Sequence, residues 1–124
     1  MSKDAHHIKL EHINNLIAVA YADGTLDDDE KDFLYERAEE FEIPTEDIKK
    51  SLENARNLQF VVPQNVDDRE DQLADIVFMM MIDGDIHDKE YDLCLSITNR
   101  LGLEKEDLDD VISLTKRLWD SSVK

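Results

Sequence analysis

The amino-acid sequence contains an internal repeat, which limits the folds that the chain can adopt. Shifting the sequence so that Asp23-Gly24 falls on Asp83-Gly84 lays LIAVAYADGTLDDDEKDFL on IVFMMMIDGDIHDKEYDLC. Hydrophobic character is kept at most positions where identity is lost, as expected of a repeat that is structural before it is chemical. The pattern indicates two similar halves, at about residues 13–55 and 73–115. We expect them to form one domain over residues 1–124, since this length suits a single compact domain.

Apolar residues in both halves are spaced by three and four, which is the period of an amphipathic helix. The spacing predicts six helices, at about 4–22, 27–41, 45–56, 66–82, 87–101 and 104–119. The residues expected to face the core are Leu10, Ile13, Ile17, Ala20, Leu34, Ala38, Phe41, Ile48, Leu52, Ala55, Leu73, Ile76, Val77, Met80, Leu93, Ile97, Leu101, Leu108, Val111, Ile112 and Leu118. With only 3 Gly and 2 Pro in the chain, we predict an all-α fold, a compact bundle of about six or seven helices built from two pseudo-symmetric halves.

Residues at the predicted helix ends agree with these positions. Gly24 and Gly84 stand where a helix C-terminus favours a residue with positive φ. Asp27 and Glu30 have the spacing of a capping box, whereas the second half has His87, a poorer cap. Between the halves, the apolar segment of residues 60–63 ends in proline and reads as a stiff connector.

The net charge of the chain limits the classes of partner that it is expected to bind. Thirty-one acidic residues against 14 basic ones give a formal net charge of -17, which repels phosphate backbones and anionic membrane surfaces. We therefore expect no nucleic-acid binding, with mimicry of DNA charge a minor alternative, and favour cations or protein partners. The longest apolar run, residues 76–82, is too short to span a bilayer, and no secretory signal is visible. We expect a cytoplasmic protein without direct membrane insertion.

The stretch YADGTLDDDE ends like a calcium-binding EF-hand loop. Gly24 and Glu30 fall on loop positions six and twelve, but positions one and three hold Val19 and Tyr21, which supply no carboxylate. Two interpretations remain open. The acids either cap helices and shape the turns, or they bind a cation, and oxygen ligands of this kind favour Ca²⁺ or Mg²⁺. The candidate ligands are Asp23, Asp27, Asp28, Glu30, Asp83, Asp85, Asp88 and Glu90.

Other reactive residues give weaker signals. His6, His7 and His12 lack the four-residue spacing of two histidines on one helix face, although Glu11 follows His7 by four. Cys94 lies in an apolar stretch and is expected to be buried. No phosphate-binding glycine loop or nucleophile elbow occurs, so we predict no enzymatic activity and no catalytic residues. An uncharacterised hydrolase ranks last among the alternatives.

Two motifs, AYADGTLDDDE and MMIDGDIHDKE, carry a family resemblance. A helix ending in Asp-Gly, with an aliphatic residue two positions on and a Glu six after the Gly, resembles the TerB-like family. That family includes the tellurite-resistance protein TerB and the N-terminal region of some membrane-anchored J-domain co-chaperones. The resemblance covers about residues 13–118. It implies two pseudo-symmetric helical halves, no established catalysis, and an association with stress, metal-oxyanion resistance and membrane-linked complexes.

The acids of the family motif, suspected of binding a divalent cation, correspond here to Asp23, Glu30, Asp83 and Glu90. His87 departs from the usual Ser or Asp and sets the second half apart. Two functional hypotheses follow. One is a cation-binding stress-response module; the other is an interaction domain that binds proteins through its acidic surface or its methionine-bearing helix, with the acids serving as caps.

Overall fold

The structure is a computed structural model that describes residues 5–22, 24, 26–82 and 84–122 of the chain. These residues form six α-helices and one short 3-10 turn with the connections between them, and no strand occurs among them. The helices are α1 Ala5–Ala22, α2 Asp28–Glu40, α3 Thr45–Glu53, α4 Val66–Met80, α5 Asp88–Arg100 and α6 Lys105–Ser122, with the 3-10 turn at Ala55–Asn57. The prediction of an all-α fold of about six helices is confirmed.

Most helix ends lie within about two residues of the positions that the sequence predicts. Two helix ends differ by three residues. Helix α6 extends to Ser122 instead of about 119, and α3 ends at Glu53 instead of about 56 and is followed by the 3-10 turn. The amide of Asn54 donates to the carbonyls of both Lys50 and Ser51, at 3.1 and 3.2 Å. This shared bond tightens the end of α3, as is common where an α-helix passes into 3-10 geometry.

The chain divides into two compact units, Met1–Val61 and Val62–Lys124. The division falls inside the apolar segment of residues 60–63 that the sequence marks as a connector. In the first unit α1, α2 and α3 all contact one another, and in the second unit α4, α5 and α6 do the same. Each unit is thus a three-helix assembly, in the order that the repeat predicts. A single domain over the whole chain stays a prediction.

The first unit encloses an aliphatic core with one amide among it. Ile13, Leu16 and Ile17 of α1 are fully buried, and Leu34 of α2 is fully buried as well. Asn15, on the same helix, is only 1% exposed. Its side-chain amide donates to the Val61 carbonyl at 2.8 Å, and its oxygen accepts from the Val61 amide at 2.9 Å. This pair of bonds attaches the end of the first unit to its first helix.

The second unit buries the three consecutive methionines. Met79, Met80 and Met81 are 1%, 3% and 0% exposed, so all three lie in the core, as predicted for Met80, and they do not form a surface for binding a partner. Cys94 is fully buried, as expected. The prediction for Leu118 is wrong, because that side chain is 53% exposed. Thr115 takes the inward position on α6 instead, where its hydroxyl donates to the Val111 carbonyl at 2.8 Å.

Candidate functional site

The first acidic corner joins α1 to α2. Gly24 has φ of 112°, and its amide donates to the Tyr21 carbonyl at 3.1 Å, which closes the turn after α1. The predicted positive φ at this position is confirmed. Asp23 lies outside the described residues, so its prediction as a cation ligand stays a prediction.

Asp27 and Glu30 form a capping box at the start of α2. The Asp27 carboxylate accepts from the Glu30 amide at 2.9 Å, and the Glu30 carboxylate accepts from the Asp27 amide at 3.4 Å. Glu30 is only 8% exposed, so its backbone partner and the positive end of the helix dipole help to offset the cost of burying it. Two of the predicted ligands therefore have a structural role in the corner.

The second acidic corner has a related but unequal arrangement. Gly84 has φ of 92°, and its amide donates to the Met81 carbonyl at 2.8 Å. The Asp85 carboxylate accepts from the neighbouring Ile86 amide at 2.9 Å. The Glu90 carboxylate accepts from the backbone amide of His87, just before α5, at 3.0 Å. Asp83 lies outside the described residues.

The described acids do not by themselves form a donor set for a metal ion. Among the residues that the structure describes, no group of three or more His, Cys, Asp or Glu side chains is placed to hold one. Asp28 and Asp88 are exposed at the first positions of their helices. A Ca²⁺ or Mg²⁺ site at either corner would therefore need a carboxylate from Asp23 or Asp83.

The N-terminal histidines make ordinary helix contacts. His7 lies 2.9 Å from the Glu11 carboxylate, one turn further along α1. His12 packs edge-on against Phe41 with ring centroids 5.3 Å apart. His6 is exposed. The three histidine side chains therefore make separate contacts along α1 and do not converge on a common site.

The sequence gives no direct signal for an open cleft between α2 and α3. The cleft has a volume of about 560 Å³ and lies within the first unit. Asp32, Glu36 and Glu39 line it from α2, spaced by four and three so that they share one helix face. Buried Ala38 and Ile43 give it an apolar floor.

A second feature that sequence reasoning missed joins α5 to α6. The Asp109 carboxylate accepts from the Tyr91 hydroxyl at 2.8 Å and lies 2.8 Å from the Lys105 ammonium. The hydrogen bond from Lys105, then that from Tyr91, lowers the pKa of Asp109. The bond to Asp109 in turn raises the pKa of Lys105, with a smaller contribution from Tyr91. The first half has Lys31, Thr45 and Lys49 at the corresponding positions, so the cluster belongs to the second half alone.

Comparison with known proteins finds a family similarity in the first half of the chain. The family model described as tellurite resistance protein TerB matches residues 2–52, which include α1, α2 and nearly all of α3. The match thus contains the first acidic corner and the α2–α3 cleft. Searches of curated proteins and of solved structures give no match. None of the described helices is long and apolar enough to cross a membrane.

Proposed function

Because residues 2–52 are a TerB-family segment, we propose that this protein is a non-enzymatic module associated with stress and tellurite resistance that acts by binding a partner protein. The observation that carries this proposal is the capping box of the first corner, where Asp27 and Glu30 accept backbone amides at 2.9 and 3.4 Å. Carboxylates used in this way stabilise the turn. The remaining acidic surface is then available for electrostatic recognition of a partner.

The chemistry of the described residues supports a non-enzymatic role. Cys94 is fully buried, so its thiol is not accessible to a substrate in solution. Tyr91 and Lys105 both contact the Asp109 carboxylate, and this cluster connects α5 to α6. These groups have structural partners instead of the nucleophile-and-base arrangement that catalysis uses.

A growth experiment tests the association with tellurite. Deleting the gene in the source organism is expected to lower the tellurite concentration that stops growth, and a plasmid copy is expected to restore it. Replacing Asp27 with Ser keeps a side-chain cap, and this variant is expected to restore growth as well as the wild type. Unchanged sensitivity to tellurite and to oxidative stress after deletion would overturn the proposed association.

Divalent-cation binding is the second candidate function. It is favoured by the family match across the first corner and by the exposed Asp28 and Asp88 beside the two Asp-Gly turns. A cation that binds only the native state stabilises it by RT ln(1 + [L]/Kd), or about 2.7 kcal/mol at a concentration 100-fold above Kd. Chelator-treated protein should then melt several degrees higher with Ca²⁺ or Mg²⁺ than with a potassium salt of equal ionic strength.

The variant for this test is the double change of Asp23 and Asp83 to Asn. A shift for one cation that disappears in this variant supports a site at the corners. A cation response that equals the potassium control in the wild type would exclude the candidate and leave the acids as caps. Zn²⁺ and Mn²⁺ are included because His87 could supply a nitrogen ligand in the second half.

A further inference from the structure

We propose that the α2–α3 cleft is the docking site for an extended, lysine- or arginine-rich segment of a partner protein. This inference rests on the proposed function as an interaction module and names the surface and the chemistry of its partner. The cleft is formed by α2 and by the turn that leads into α3, all within the first unit.

The cleft combines an acidic wall with apolar surface. Its α2 wall carries Asp32, Glu36 and Glu39, all exposed. Its floor includes Ile43, which is 5% exposed, and its rim includes Tyr35. Long cationic side chains lay their methylene stems on apolar surface while the charged head reaches a carboxylate or an aromatic face. A lysine or arginine side chain therefore matches both parts of this cleft.

The wall acids have no partner within the described part of the chain. Asp32, Glu36 and Glu39 take part in none of its side-chain hydrogen bonds or ion pairs. Of the two cations on α2, Arg37 lies 2.6 Å from Glu40 and stacks 5.2 Å above the Phe33 ring. The other, Lys31, is exposed and makes no ion pair with the wall acids among the described residues. Three neighbouring carboxylates that form no ion pair with the described residues, in a protein of net charge -17, make a local field that attracts a basic segment.

The spacing of the wall acids fits an extended chain. Asp32 and Glu36 are four residues apart on α2, or about 6 Å along the helix axis. Alternate side chains of an extended peptide lie about 6.8 Å apart on one face. Glu39 continues the wall by three residues, about 4.5 Å. A segment with basic residues at every second position can therefore place neighbouring cations beside neighbouring acids.

The second half shows that this wall is not a general property of the repeat. The residues that correspond to Asp32, Glu36 and Glu39 are Asp92, Ser96 and Asn99, so a single acid remains. Tyr35 becomes Leu95. The acidic wall is thus specific to the first half, which is also the half that matches the TerB family.

The test uses a fluorescein-labelled nonapeptide with lysine at alternate positions and serine between them, titrated with the full chain. The test variant changes Asp32 to Asn, Glu36 to Gln and Glu39 to Gln. The control variant changes Glu70 to Gln, Asp71 to Asn and Asp110 to Asn, which are exposed acids of the second unit. Both variants lose three negative charges. Losing three charge contacts is expected to weaken binding roughly tenfold or more, whereas the control should change it less than about twofold.

The possible outcomes distinguish binding at the cleft from attraction by the net negative charge of the protein. Equal weakening in both variants, or no binding by the wild type in low salt, would overturn the docking site. Equal occupancy by spermidine at the same charge concentration would overturn the extended segment as occupant. Amide chemical-shift changes confined to the cleft, including Tyr35 and Thr45, are expected on peptide addition and verify the location even where a variant alters stability. The tellurite growth phenotype is independent of this peptide, so its loss or survival reports on the proposed function separately.

Discussion

Glu42 and Gly102 occupy the same position in the two halves, and both have a left-handed backbone, with φ of 59° and 74°. Each is the residue just beyond the C-cap of its helix. In the first half the Ile43 amide donates to the Ala38 carbonyl at 2.9 Å, and the corresponding bond in the second half is 3.0 Å. This is the Schellman arrangement, in which glycine is the usual residue. The first half thus has glutamate in a left-handed conformation for which the second half has glycine.

Replacing Glu42 with Gly is expected to stabilise the protein. A non-glycine residue in the left-handed region costs about 1–2 kcal/mol, and the greater freedom of glycine in the unfolded chain offsets about 0.4–1 kcal/mol of that cost. The net gain in the free energy of unfolding should be roughly 0.5–1 kcal/mol, measured by urea denaturation. Glu42 to Gln removes the charge but keeps the strain. An equal gain in that control would assign the effect to charge instead.

The reciprocal change, Gly102 to Ala, is expected to destabilise the protein. A Cβ at this position would meet the Arg69 side chain at 3.5 Å, which is ordinary contact, so the cost comes from the backbone. The strain of about 1–2 kcal/mol is partly offset because alanine reduces the freedom of the unfolded chain, so the free energy of unfolding should fall by roughly 0.5–1 kcal/mol. Circular dichroism and urea denaturation measure it. A neutral result would mean that the turn adapts to a different backbone conformation.

Replacing Asn15 with Ala is expected to cost about 1–3 kcal/mol in the free energy of unfolding. The change removes both bonds to the Val61 backbone, at 2.8 and 2.9 Å, and leaves a hole at a position that is 1% exposed. The matched control is Asn57 to Ala, because Asn57 is exposed and its side chain bonds only to Asn54, at 2.9 Å, within the part of the chain that the structure describes. That control should change stability by less than about 0.5 kcal/mol. Similar losses in the two variants would contradict a role for the Asn15 clamp.

The Lys105–Asp109 contact is expected to give a pH-dependent contribution to stability. The lowered pKa of Asp109 stabilises the fold above the unfolded-state value of about 3.9, and this part is lost as pH falls through the folded value. The raised pKa of Lys105 stabilises below about pH 10.4 and is lost as pH rises through the folded value. The difference in Tm between the wild type and Lys105 to Met should therefore be largest between about pH 5 and 9.

The control for this pH dependence is Lys89 to Met, an exposed lysine on α5. It removes the same charge without touching Asp109. Thermal melts from about pH 3 to 11 should show a smaller and flatter difference for this control. Overlapping pH profiles for the two lysine variants would show that net charge, not the contact, causes the effect.

Replacing Asp27 with Ala is expected to cost about 1 kcal/mol, while Asp27 to Ser should cost only a few tenths, because serine also caps helices. Urea denaturation in chelator measures both. Repeating the measurement with Ca²⁺ then separates capping from ligation. A serine variant that is normal in chelator but loses a wild-type calcium response would assign Asp27 as a ligand.

Local sequence determined much of the first corner. Asp27 and Glu30 are three residues apart, and their capping box forms from side chains and amides of the same turn. The positive φ of Gly24 is equally local. Such features depend on neighbours along the chain, so they can be read without knowing the tertiary structure. The repeat extends the same information to Gly84 and Glu90 in the second half.

The helical positions of the core were also largely predictable, since burial follows the helical period. Ile13 and Ile17 are fully buried as their spacing predicts. The helical period does not show where along a helix the neighbouring helices stop covering its apolar face. It therefore could not predict that Leu118 is exposed. Nor does it single out Glu42, whose φ depends on how α2 ends and not on its own preference.

Six helices, the capping box of α2 and the internal repeat can all be predicted from the amino-acid sequence, because they depend on bonds and spacings within a few residues. The burial of Asn15 instead depends on folding of the whole first unit, since its partner Val61 is 46 residues away. The tertiary structure likewise decides which acids line an open cleft, because α3 packs against α2 and leaves the face of Asp32 and Glu36 beside an apolar floor. Local spacing can place Asp32 and Glu36 on one helix face, but a long-range contact is a property of packing, and no local pattern shows that an open cleft lies beside that face.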